Sequence, residues 1–89
     1  MRKDELVAAV ARRTGLSKAK ARDAVVALFG TRSDGASGII SAELASGERV
    51  QIGGFGTFGT HRLGRHAEGS ARAYFHAARS LRLRLDKSA

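Results

Sequence analysis

The stretch Arg49-Val50-Gln51-Ile52-Gly53-Gly54-Phe55-Gly56-Thr57-Phe58 constrains the fold more than any other part of the chain. Val50, Gln51 and Ile52 alternate apolar and polar with the period of a half-buried strand, and a glycine pair then separates them from a second run carrying two aromatics. This predicts a strand, a tight turn and a second strand. Gly53 and Gly54 can adopt the positive φ values that turns of this kind use. Gly56 leaves space where another backbone or a helix must come close. Phe55 and Phe58 are the expected core anchors.

A chain of 89 residues makes one domain and buries a modest share of its surface, so oligomerisation is a natural way to complete its core. Without cysteine there is neither a disulfide framework nor a thiolate metal site. No apolar run approaches membrane-spanning length, and the charged start lacks the hydrophobic stretch of a signal peptide, so the cytoplasm is the expected compartment. Charge is the second constraint. The net charge of +8 is unevenly placed: Met1 to Glu48 carries eight Lys/Arg less six Asp/Glu, or +2, and Arg49 to Ala89 carries eight less two, or +6. All three histidines also lie in the second half. A field polarised in this way favours a polyanion at one end of the molecule.

Helical periodicity fills the first half. Leu6, Val7, Val10 and Ala11 share one helix face, with Asp4 and Glu5 in the first turn and Thr14-Gly15 as the stop. Ser17 is a good N-cap for a second helix whose Ala21, Val25, Leu28 and Phe29 recur at helical spacing. A helical hairpin follows. Residues 30–38, with three glycines and two serines, form an expected loop insert, after which Ile40 and Leu44 suggest one more helical piece ended by Gly47. His61 to Arg72 reads as a short basic hairpin or arm. In the last segment Leu81-Arg82-Leu83-Arg84-Leu85 alternates like a strand, whereas Phe75, Ala78, Leu81 and Leu85 fit a helix face.

The motif GERVQIGGFGTF at residues 47–58 resembles the signature of the HU/IHF family of bacterial histone-like DNA-binding proteins. The opening from Met1 to Val7, the Thr14-to-Lys18 junction, the Ala24-to-Phe29 stretch and Phe75 to Leu81 also match elements of that family. The resemblance implies an α+β fold: an N-terminal helical hairpin over residues 1–47 with the insert at 30–38, and a small antiparallel sheet with an arm over 48–74. A C-terminal helix and tail over 75–89 complete it. It also implies an intertwined homodimer with Phe29, Leu44, Phe55, Phe58 and Phe75 in the shared core. Two departures stand out. The insert breaks what the family builds as a longer second helix, and Gly59 to Tyr74 is too short for the long arm of typical members. The resemblance puts a wedging proline at the arm tip, but this chain has Ala67 there and contains no proline.

Other chemistries fit less well. Gly54 to Gly59 spells G-x-G-x-x-G, but the dinucleotide motif needs a following helix, a surrounding βαβ unit and an acidic residue about 20 positions on. His61, His66 and His76 do not have the spacing of a zinc motif, and no segment resembles a nucleophile elbow or a catalytic carboxylate pair. The expectation is thus no enzyme, cofactor, metal, membrane or small-molecule substrate. The expected function is sequence-tolerant binding of double-stranded DNA in the bacterial nucleoid. Arg62, Arg65 and Arg72 are the first candidates for phosphate or minor-groove contacts, with His61 and His66 in the same arm and Lys3, Lys18, Arg79 and Arg82 on the body. Two alternatives are a dimerisation or protein-interaction module that has given up DNA wrapping, and a single-strand or RNA binder.

Overall fold

A computed structural model describes residues 1–30, 38–62 and 71–88 of the chain. The order of elements is α1 (Lys3–Thr14), α2 (Lys18–Phe29), α3 (Ile39–Ala45), β1 (Val50–Ile52), β2 (Gly56–Arg62), β3 (Ala71–Ala77) and α4 (Arg79–Ser88). They fall into two compact units, Met1–Ala42 and Glu43–Ala89.

Local signals fix the helical unit. The Arg2 backbone N–H donates to the Glu5 carboxylate at 3.1 Å, which opens α1, and Gly15 closes it at φ 77° with its N–H on the Ala11 carbonyl. The Ser17 hydroxyl accepts the Lys20 N–H at 3.2 Å, the cap expected for α2. Val7, Ala21 and Val25 are sealed between the two helices, with Leu6, Val10 and Ala11 packed around them. At the end of α2, Gly30 takes φ 65° and the Ser41 hydroxyl donates to the Phe29 carbonyl at 2.8 Å. A Cβ at Gly38 would run into the backbone of Leu28, Phe29 and Gly30, so the two ends of the insert meet over the last turn of α2. The insert itself, residues 31–37, lies outside the described residues. The helical piece expected around Ile40 and Leu44 is α3, and Gly47 ends it at φ 80°.

The second unit is a three-stranded antiparallel sheet in the order β1-β2-β3, followed by α4. Between β1 and β2 the Phe55 N–H donates to the Ile52 carbonyl at 3.0 Å. Gly54 has φ 79° and Gly53 does not have a positive φ. This is the pattern of a type II turn, in which only the third residue needs the left-handed region, and it corrects the expectation for Gly53. The C-terminal boundary also moves. Phe75 to Ala77 belong to β3 rather than to a helix over 75–89, because Phe75 pairs across the ladder with Phe58 and its ring packs on Phe55 and Phe58 at centroid distances of 5.2 and 5.0 Å. The Ala78 N–H then bonds the Phe55 carbonyl and the Ser80 hydroxyl bonds the Gly54 carbonyl, so the turn anchors the start of α4. Gly56 is needed as expected: a Cβ there would lie 2.6 Å from both the His76 carbonyl oxygen and the Phe75 ring.

Candidate nucleic-acid interface

Alternation along the strands gives the sheet two unlike faces. The register pairs Val50 with Phe58 and Phe58 with Phe75, which gathers the aromatics on one face together with Ala73 and Ala77. Phe55 joins them from the turn, 6.4 Å from Phe58 between centroids. Despite this mutual packing Phe55 is 46% exposed and Phe75 44% exposed.

The opposite face is polar. One cross-strand row is Gln51, Thr57 and His76, the next pairs Gly59 with Tyr74, and the last pairs His61 with Arg72. Arg49, just ahead of β1, lines the same recess as Thr57, His61, Tyr74 and His76. Among the described residues of this face none is an Asp or Glu. The Tyr74 ring lies over Gly59, where a Cβ would overlap it, and stacks on His61 with ring centroids 4.5 Å apart and planes 26° from parallel. Glycine and aromatic are thus complementary across one pair of strands, the aromatic covering what the glycine leaves open.

The structure brings together only part of the predicted set. His61 and Arg72 are direct partners, while Arg62 projects from the other face, opposite Ala71 and beside a groove lined by Leu44, Ala45 and Gly47. Arg65 and His66 lie outside the described residues, as does Ala67. Lys3 and Lys18 open α1 and α2, and Arg79 and Arg82 lie on α4. Arg49, Tyr74 and His76 were not among the sequence candidates. The signal for them was present in the every-second-residue spacing of Thr57, Gly59 and His61, but it needs the register of β3 to be read. Among the described residues no three His, Cys, Asp or Glu side chains converge as a metal site.

The sequence matches the family described as bacterial DNA-binding protein over residues 1–87. The chain belongs to the HU/IHF family. It is similar to the DNA-binding protein HRm of Rhizobium meliloti (strain 1021), with 47% identity over 62 residues that cover 70% of this chain and 60% of the relative. It thus spans about 60% of the length of that curated relative. Among solved structures it is similar to HU from Thermotoga maritima, with a TM-score of 0.68, 27% identity, and 96% of this chain and 98% of that one covered. An Anabaena HU–DNA cocrystal structure gives a TM-score of 0.73 at 27% identity, covering 96% and 97%. Proteins of this family are architectural DNA-binding proteins rather than enzymes. Among the described residues no helix is long and apolar enough to cross a membrane.

Proposed function

We propose that this protein binds double-stranded DNA with little dependence on base sequence, as a homodimer, and so helps to organise the genome in the cytoplasmic nucleoid. The observation that carries this reading is the polar sheet face, where His61 and Arg72 are paired on a surface without carboxylates. Cations placed on such a surface neutralise backbone phosphates and release condensed counterions, which supplies affinity that does not depend on sequence. The homodimer is supported by the other face. Phenylalanine rings left nearly half exposed are apolar surface that a second copy of the chain can cover, at about 1.5–3 kcal/mol for each ring fully buried.

His61 and Arg72 lead the candidate contacts, with Arg62 at the strand end and Arg65 and His66 beyond it. Lys3, Lys18, Arg79 and Arg82 are candidates for backbone contacts on the body. A titration of unrelated duplexes at several salt concentrations tests the reading. Log affinity should fall linearly with log salt, with nearly the same slope for every duplex. Strong discrimination among random sequences, or binding indifferent to salt, would overturn it.

A further inference from the structure

We infer that the insert interrupts one helix without changing its register: residues 30–37 stand between two parts of a single helical path, and the Ser41 hydroxyl clasps the severed ends. In an α-helix a serine or threonine hydroxyl can donate to the carbonyl four residues back. Helix α1 carries that bond in its ordinary form, from the Thr14 hydroxyl to the Val10 carbonyl at 2.6 Å. The Ser41 hydroxyl makes the same bond to the Phe29 carbonyl at 2.8 Å, but across 12 positions instead of four. Twelve less four is eight, which is the number of residues from 30 to 37.

The apolar pattern gives the same count. Ala21, Val25 and Phe29 recur every fourth residue on α2, as Ile40 and Leu44 do on α3. With eight residues left out, Ile40 follows Phe29 by 11 less eight, or three, and at about 100° per residue all five positions fall within about 80° of one another. One stripe then runs through both helices. Gly38 marks the seam. It has no positive φ, so its backbone does not require glycine, yet a Cβ there would meet the backbone of Leu28, Phe29 and Gly30. The returning chain is thus pressed onto the last turn of α2, and the Ala42 N–H on the Gly38 carbonyl starts α3 from that point.

The test is a chain in which Phe29 is joined directly to Gly38, compared with the natural protein at equal concentration. The joined chain should fold with one helix from Lys18 to Ala45 and keep its helical ellipticity per molecule. Two substitutions then act differently in the two backgrounds. Gly38→Ala should lower the melting midpoint of the natural protein, where its Cβ collides with backbone, and raise that of the joined chain by about 4–8 °C, because an interior helical glycine is replaced. Ser41→Ala should lower the midpoint of the natural protein and spare the joined chain, in which the Ser41 backbone N–H itself reaches the Phe29 carbonyl. Removing only residues 31–37 turns everything that follows by about 100° and should give a less stable protein than removing all eight. Equal stability of the two deletions, a joined chain that does not fold, or destabilisation by Gly38→Ala in both backgrounds would overturn the shared register.

Discussion

The helical hairpin and the sheet solve the problem of a small core in opposite ways. Between α1 and α2 the contact residues are short, and Val7, Ala21 and Val25 are almost fully withdrawn from water at 1%, 0% and 4% exposure. In the sheet unit the apolar residues are large rings that pack on each other, yet Phe55 and Phe75 keep nearly half their surface. The first arrangement closes locally with small side chains. The second presents apolar area that only another surface can finish. Stability should therefore be intrinsic to the chain in one unit and dependent on association in the other.

The largest expected effect comes from Phe58→Ala. Phe58 sits between Val50 and Phe75 in the ladder and touches both other rings, so removing it leaves the aromatic face without its centre. A cost of about 3–5 kcal/mol is expected, enough to unfold or dissociate a marginally stable small protein. Denaturation at several protein concentrations, with sedimentation in parallel, measures it. A natural protein that stays a folded monomer at micromolar concentration would end the contrast between the two units.

Next in size is Ala21→Leu. Ala21 has no exposed surface and its site is walled by α1, so added methylenes force a shift costing about 1–3 kcal/mol. Because this core lies within one hairpin, the loss should not alter the dimerisation constant of molecules that remain folded. A strong change in association would show that the hairpin core is not self-contained.

These differences bear on what was legible in the sequence. Helix ends were, because Ser17 and Gly15 act on neighbours within a few residues and each has one conformational job. The hairpin of β1 and β2 was legible for the same reason. Phe75 was misplaced because its helical spacing with Ala78 and Leu81 is genuine, and only pairing with Phe58, 17 positions earlier, decides for the strand. The same long-range register separates Arg62 from His61 and Arg72. Counting basic residues in a segment cannot reveal that neighbours on a strand face opposite ways.

A smaller effect discriminates between the two faces. Arg72→Ala removes a cation from the polar face and should flatten the salt slope by about 0.9. Arg62→Ala removes the same charge from the opposite face, at the strand end, and should flatten it less. Equal changes would mean that the duplex reaches both faces at the end of the strands, and a larger change for Arg62 would reverse the assignment of the binding face.

The smallest expected effect is on DNA shape. With no proline in the chain and Ala67 at the place of the family's wedge, the chain lacks the proline that would prise apart a base step. Bending a site of 20–30 base pairs smoothly by 40–90° costs about 1–6 kcal/mol, and a shortened arm gains less contact in return. Phosphate neutralisation on the polar sheet face acts on one side of the duplex only, which favours a shallow curvature towards the protein and leaves the bases stacked. Energy transfer between the labelled ends of a short duplex should therefore rise only slightly on binding. Replacing residues 63–70 with a longer, proline-tipped arm should increase that transfer more than it increases affinity for straight duplex. Sharp bending by the natural protein would mean that wedging does not need the proline, and that the arm contributes more to the complex than the sheet face does.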